Sequence, residues 1–345
     1  MSSTRVGVLG ATGAVGQRLI QLLDPHPQFK IATLTASDDS AGTSYRKAAK
    51  WRIETPIPDA VADLIVERTA PDAVPDNVDL LFSSLPSSVG ERVEPDFCEA
   101  GYVVSSNSSN ARMDDDVPLL IPEVNHDHLD LLEVQRDERG WDGALLKNPN
   151  CSTITIVPTL AALDSFGLTS VHVATMQAVS GAGYAGVSSM EILDNVLPHI
   201  GGEEEKMETE TRKLLGTFDG ATVDAHDVDV AASCNRVPTI DGHLENAWVE
   251  TSEALTADDA MAAMREAHSL ALHSSPDQFI EVFEDANRPQ PRLDRMVGEG
   301  MSVAVGGVRE TSDGVQYNCL THNTLRGAAG ASVLNGELLV EEGWV

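Results

Sequence analysis

The chain of 345 residues is long enough for two domains with cores of their own, and its 42% hydrophobic content excludes a disordered tail. Its 54 Asp and Glu against 23 Lys and Arg leave a formal charge of -31, which repels phosphate backbones and argues against nucleic acid or an anionic membrane as partner. Only six of the basic residues are lysines; self-repulsion on this scale needs screening, and a salt-rich cytoplasm is the expected setting.

In chain order, residues 5 to 10 read as a short buried strand and Ala14 to Leu23 as a helix stopped by Pro25 and Pro27. Further strands are expected at Lys30 to Thr35, Val78 to Leu85 and Tyr102 to Ser106, with a helix over Val89 to Ala100. Strands alternating with helices predict a Rossmann-type, parallel, doubly wound sheet whose ligand lies outside the carboxyl ends of its strands. After about residue 150 the runs lengthen and alternate: Thr169 to Ala178, Asp227 to Cys234, His243 to Thr251, Phe279 to Glu284, Met301 to Arg309 and Val315 to Thr321. With helices at Ser188 to Ile200 and Thr256 to Leu270, this predicts an α+β domain built on a largely antiparallel sheet. The boundaries are taken as 1–150 for the first domain, completed by a C-terminal helix within 326–345, and 151–325 for the second.

Cys98, Cys151, Cys234 and Cys319 are widely spaced without a metal-binding pattern, so free thiols in a reducing compartment are expected, and no metal. The N-terminus enters a strand pattern with no apolar leader, and no stretch reaches about 18 unbroken apolar residues; a cytoplasmic location is expected.

The glycine-rich turn Gly10-Ala-Thr12-Gly13-Ala14-Val15-Gly16 links the first strand to the first helix. There the backbone can approach a pyrophosphate while the helix N-terminus supplies free N–H groups. At the end of the second strand, Ser37 and Ser40 favour NADP by offering hydroxyls to a 2'-phosphate, whereas Asp38 and Asp39 are the contrary signal for NAD.

The strongest chemical signal is Asn148-Pro-Asn150-Cys151-Ser-Thr. A thiol where a turn feeds a helix sits in a field that lowers its pKa and favours a thiolate nucleophile. The other three cysteines read as buried small hydrophobes. Arg236 and His243 flank an Asp241-Gly242 turn that reads as a two-residue hairpin, placing both on one face about 13 Å apart along the strands. That span suits a small substrate with an anionic end. The turn Ser180-Gly181-Ala-Gly183 can approach a nicotinamide or be a plain loop, and Glu203 with Lys206 reads as an exposed ion pair on a helix.

These segments, together with Ser83-Ser-Leu85-Pro, Ser106-Asn107-Ser-Ser, Arg112-Met113, Gln177-Ala-Val-Ser-Gly, Arg288-Pro-Gln-Pro-Arg292 and His322-Asn323-Thr-Leu-Arg-Gly, resemble the archaeal and fungal branch of the aspartate-β-semialdehyde dehydrogenases over essentially the whole length. The resemblance implies NADP-dependent, reversible reductive dephosphorylation of L-aspartyl 4-phosphate to L-aspartate 4-semialdehyde, on the route to lysine, threonine and methionine. It implies Cys151 as nucleophile, His243 as acid/base and Gln177 as the residue orienting the acyl intermediate. Arg236 and Glu203 would hold the amino-acid end, with Asn150 beside them, and Arg112 with Lys206 the phosphate. The cofactor would meet Gly10, Thr12, Gly13, Ala14, Val15, Ser37, Ser40, Ser83, Leu85, Gly181, Gly183 and Asn323. Homodimers or homotetramers through the second domain are also implied. Ser108 departs from the alanine common at its position. Backbone N–H groups near Cys151 are expected to hold the developing oxyanion, at about 3 kcal/mol per donor. A rival of the same build is an acyl-CoA reductase, such as a malonyl-CoA reductase, from which Lys206 and Arg112 point away.

Overall fold

The computed structural model describes residues 3–183 and 185–345. The first sheet is wholly parallel. It comprises β1 (Thr4–Leu9), β2 (Phe29–Ala36), β3 (Val66–Arg68), β4 (Leu80–Ser83), β5 (Val103–Ser106) and β6 (Ala144–Lys147), in the order β3-β2-β1-β4-β5-β6. Val6, Val8, Leu34, Leu80 and Phe82 are buried because helices cover both faces, so these strands read as unbroken apolar runs. The strand order reverses between β1 and β4, which opens a crevice at their carboxyl ends. β3 and β6 were not expected.

Beneath the crevice lies a buried polar knot. Glu94, on the helix Ser87–Glu99, accepts from Lys147 Nζ at 2.5 Å and from the hydroxyls of Ser83, Ser106 and Ser108. Burial opposes its ionisation, but Lys147 and the hydroxyls hold the carboxyl below its ordinary range. Ser108, the departure from the family pattern, is therefore a working member of this network.

After a two-stranded ribbon, β8 (Thr217–Phe218) with β9 (Val223–Asp224), the second sheet is completed by β10 (Asp229–Arg236), β11 (His243–Thr251), β12 (Ile280–Val282), β13 (Val303–Glu310) and β14 (Gly314–Thr321) around β7 (Leu168–Gln177). Its order is β10-β7-β11-β14-β13-β12. The three inner pairings are antiparallel as expected, while the two outer ones are parallel, so the sheet is mixed.

That order corrects the expected hairpin. β7 lies between β10 and β11, so the strands carrying Arg236 and His243 are not paired. The chain after Arg236 instead crosses the end of β7: Val237 N–H donates to Gln177 O, and Val179 and Ser180 N–H donate to Thr239 O and Ile240 O. The helix expected over Ser188 to Ile200 is confined to Ser189–Ile192; Leu193 is extended and Asp194 adopts φ +60°, which breaks the turn.

The helix Thr153–Leu163 lies against the inner face of this sheet, with Ile154, Ile156, Val157, Leu160 and Leu163 in one core with Val171, Ala247, Val249 and Val315. The chain then returns to the first domain. A wide π-type turn, Leu325–Ala329, leads into the helix Gly330–Glu341, whose Val333, Leu338 and Leu339 share a core with Val6, Leu19 and Phe82. This return presses backbone against the nucleophile turn: a Cβ at Gly327 would stand 2.9 Å from Cys151 Cβ. No helix among the described residues is long and apolar enough to cross a membrane.

Candidate active site

Cys151 sits just ahead of the helix Thr153–Leu163, and Asn150 builds that position. Its Oδ1 accepts from Ser152 N–H at 2.8 Å and Thr153 N–H at 3.3 Å, capping the helix from the residue before the cysteine. These two amides are thereby occupied, so the expected oxyanion donors narrow to the Cys151 N–H, which meets no acceptor among the described residues.

His243 opens β11, and its Nε2 lies 3.3 Å from Cys151 Sγ. Ala178 N–H donates to its Nδ1 at 3.1 Å. Burial, followed by the nearby Arg236 and His322, pushes the imidazolium down to about 3, so the ring is neutral at neutral pH. Burial also dominates the thiol: Cys151 is pushed up to about 12, Glu203 adds to this, and Arg236 and Arg112 oppose it. The expected thiolate is thus not the resting form, because the desolvation of a charged sulfur outweighs the cations around it.

Arg236 Nη1 donates to Ala178 O at 2.8 Å and to Gln177 Oε1 at 3.4 Å. Arg236 and His243 therefore meet at opposite ends of one residue, Ala178, and both crowd Gly181. A Cβ there would stand 2.7 Å from Arg236 Nη1 and 3.2 Å from His243 Nε2. This convergence replaces the 13 Å span expected from a hairpin. Asn323 fixes the surround, donating through Nδ2 to Ser180 Oγ and accepting from Gly242 N–H, both at 2.8 Å.

Glu203 is not the exposed surface acid that helical spacing suggests. It is buried, receives Lys206 Nζ at 2.8 Å and Asn150 Nδ2 at 2.9 Å, and lies 3.5 Å from Gln177 Nε2. Burial raises its carboxyl, but Lys206 and the two amides more than compensate, leaving it below the ordinary range.

Glu210 escaped the sequence reading. About two turns further along the helix Glu203–Leu214, it accepts Arg112 Nη1 at 2.8 Å with Oε1 and Asn150 N–H at 2.6 Å with Oε2. Arg112 Nη2 also donates to Asn107 O at 2.8 Å. In a chain with 54 acids nothing in the residue type singles Glu210 out; its helical register with Glu203, seven residues back, was the available signal.

At the dinucleotide crevice, Gly10 adopts φ +77°, and a Cβ on it would meet Ser84 O at 2.9 Å. A Cβ on Gly16 would fall 2.3 Å from Gly10 O, so this turn accepts only glycine at both places. Gly13 caps the helix without a side chain, leaving the Ala14 and Val15 N–H groups free of a side-chain acceptor, with Thr12 beside them. Gly10 and Ala11 N–H both bond Thr35 O, bringing the end of β2, and so Ser37 and Ser40, next to the turn. Leu85 is buried in a core with Leu9 and Leu81, while the Ser83 hydroxyl is bonded to Glu94. Gly183, at φ +78°, lies outside the tight cluster around Gly181. Cys98, Cys234 and Cys319 are fully buried, as expected of hydrophobic cysteines.

Two family models match: the semialdehyde dehydrogenase NAD-binding domain over residues 5–132 and the semialdehyde dehydrogenase dimerisation domain over residues 160–326. Aspartate-semialdehyde dehydrogenase of Archaeoglobus fulgidus is 51% identical, with 98% of each chain covered. The chain belongs to the aspartate-semialdehyde dehydrogenase family. The Schizosaccharomyces pombe member is 44% identical over 99% of each chain. Among solved structures, that of the Candida albicans family member with NADP superposes with a TM-score of 0.91 at 39% identity, covering 100% of both chains. The Vibrio cholerae aspartate semialdehyde dehydrogenase II, complexed with ASA, gives 0.80 at 27% identity, over 99% of this chain and 100% of that one. The dimerisation-domain match supports a homo-oligomer.

Proposed function

We propose that this chain catalyses the reversible, NADP-dependent reductive dephosphorylation of L-aspartyl 4-phosphate to L-aspartate 4-semialdehyde through a thioester on Cys151, as a step of lysine, threonine and methionine biosynthesis. The observation that carries this reading is the 3.3 Å approach of Cys151 Sγ to His243 Nε2 inside a ring of Gln177, Arg236, Glu203 and Lys206. Attack of sulfur on the acyl carbon expels phosphate and divides one hard reduction into two easier steps. Cys151 N–H offers a hydrogen bond to the oxyanion, and His243, facing the sulfur from Nε2, acts as the acid/base that moves the proton. Gln177 orients the acyl group between Glu203 and Arg236. Glu203 suits the substrate ammonium, Arg236 its carboxylate, and Arg112 with Lys206 the phosphate. In a protein of net charge -31, such a cluster is what allows an anionic substrate to enter.

The crevice fits a dinucleotide, since Gly10 and Gly16 clear the backbone and the first-turn amides stay free for a pyrophosphate. NADPH when bound supplies the hydride. Ser37 and Ser40 would receive the 2'-phosphate; Gly181, Gly183 and Asn323 would line the nicotinamide side. We take 1–150 with the helix of 326–345 as the cofactor domain and 151–325 as the catalytic and dimerisation domain, and place the enzyme in the cytoplasm as a homodimer or homotetramer.

The assay is purified protein with aspartate semialdehyde, NADP or NAD, and either phosphate or CoA. Phosphate-dependent turnover with NADP preferred is expected. CoA-dependent turnover without need of phosphate would overturn the proposal in favour of an acyl-CoA reductase.

A further inference from the structure

We propose that Lys213 is a positioning residue for the phosphate subsite, its ammonium gripping three main-chain carbonyls of the segment 112–117 and so fixing where Arg112 presents its guanidinium. This rests on the reading of Arg112 as a phosphate ligand. Lys213 Nζ donates to Arg112 O at 2.9 Å, to Asp114 O at 2.7 Å and to Val117 O at 2.9 Å. An ammonium has three donors and no acceptor, so each hydrogen meets one carbonyl.

This lysine is not an ordinary surface ion pair. It is buried and turns to main-chain oxygens, while Arg139 takes the carboxylates of Asp114 and Asp116. Burial pushes the ammonium down to about 8, and Asp114, Asp115, Asp116 and Glu210 oppose that. At neutral pH the group therefore keeps its third proton, and with it the third carbonyl.

The segment needs such a grip. It is a run of turns between β5 and β6, with no strand ladder to hold it. Its own bonds are two turn closures, Asp114 N–H to Ala111 O and Val117 N–H to Asp114 O, both at 3.2 Å. Ala111, directly before Arg112, adopts φ +60°, a left-handed conformation that a residue bearing a Cβ keeps only where its surroundings enforce it.

The grip also ties the phosphate ligand to the nucleophile. Steps of three and four residues keep Glu203, Lys206, Glu210 and Lys213 on one face of the helix Glu203–Leu214. Glu203 accepts Asn150 Nδ2, Glu210 accepts both Asn150 N–H and Arg112 Nη1, and Lys213 holds the Arg112 carbonyl. A single helix thus fixes Arg112 by main chain and by side chain, and fixes the residue before Cys151. The reach from guanidinium to sulfur is set along one rigid rail.

The test is steady-state kinetics of full-length Lys213→Met with aspartate semialdehyde, NADP and phosphate. The KM for phosphate is expected to rise about 10-fold or more, with kcat at saturating phosphate and the KM for NADP within about 3-fold of the unsubstituted enzyme. A lysine that only stabilised the fold would not single out phosphate, so an unchanged phosphate KM, or equal losses in every constant, overturns the proposal. In Lys213→Ala, added propylammonium supplies the missing cation and should recover the phosphate KM; recovery by KCl at equal ionic strength would count against the clamp. If the methionine variant does not fold, Lys213→Gln, which keeps two donors without the charge, carries the same comparison with a smaller rise. Hydrogen exchange at residues 112–117, read without substrate, should quicken in the variants, and unchanged exchange also overturns the clamp. Turnover of the unsubstituted enzyme without need of phosphate would instead strike the proposed function.

Discussion

Cys151 Sγ and His243 Nε2 meet at 3.3 Å although 92 residues separate them in the chain. Each is held at an end of its element: the sulfur just before the helix Thr153–Leu163, the imidazole at the first residue of β11. That helix packs on the inner face of the sheet, so core packing by Ile156, Leu160, Val249 and Val315 fixes the reacting pair. Chemistry here is a consequence of how a helix seats on a strand.

The thiol's elevated pKa makes a signed prediction. A group pushed up to about 12 stays protonated at neutral pH, so its thiolate fraction grows about tenfold per pH unit. Alkylation of Cys151 by iodoacetamide in ligand-free protein should rise from about pH 7 to pH 10 without a plateau. A plateau below about pH 7 would show that the cations and the helix end outweigh burial.

Glu210 joins Arg112 to the turn that bears the nucleophile. Glu210→Ala leaves a buried guanidinium and the Asn150 N–H without their acceptor, and removing one partner of a buried ion pair costs about 3–5 kcal/mol. Denaturant unfolding is expected to show a loss of that order, and steady-state kinetics a raised KM for phosphate. A loss under about 1 kcal/mol with phosphate KM unchanged would contradict the role.

Gly181→Ala tests the crowding of the site. The new Cβ would stand 2.7 Å from Arg236 Nη1 and 3.2 Å from the His243 ring, so one of them must move. Displacement of catalytic groups by about 1 Å costs about 10²-fold in rate, and kcat/KM should fall by that order with circular dichroism unchanged. Full activity would mean that the two side chains have slack.

The acidic surface predicts salt dependence. Molar salt shortens the screening length to about 3 Å, which relieves self-repulsion of the net charge of -31. Raising KCl from about 0.1 M to about 2 M should increase Tm by several degrees, since about 1 kcal/mol shifts Tm by about 2–4 °C at a domain size of 150–250 residues. An unchanged Tm would refute it.

The parts legible in the sequence were those with local signals. The run into Gly10 and the helix from Ala14 announced a dinucleotide turn, and β11 emerged with its expected ends because alternation persists over nine residues. Alternation reports which face a residue occupies, not which strand lies beside it, so an Asp-Gly turn suggested a hairpin where β7 intervenes. Cys151, His243, Gln177, Arg236 and Glu203 were identifiable as candidates; the convergence of His243 and Arg236 on Ala178 was not, because those contacts run through main-chain atoms with no residue signature. Likewise, the hydroxyl of Ser83 looked available to a cofactor until the fold committed it to Glu94.

The central claim is a covalent bond between Cys151 and the acyl carbon, and mass spectrometry of acid-quenched reaction mixtures tests it most directly. Protein mixed with NADP and aspartate semialdehyde, with phosphate withheld, should carry an aspartyl adduct on the peptide containing Cys151, and added phosphate should discharge it. Turnover with that peptide always unmodified, or a Cys151→Ala protein that still turns over, would contradict the account.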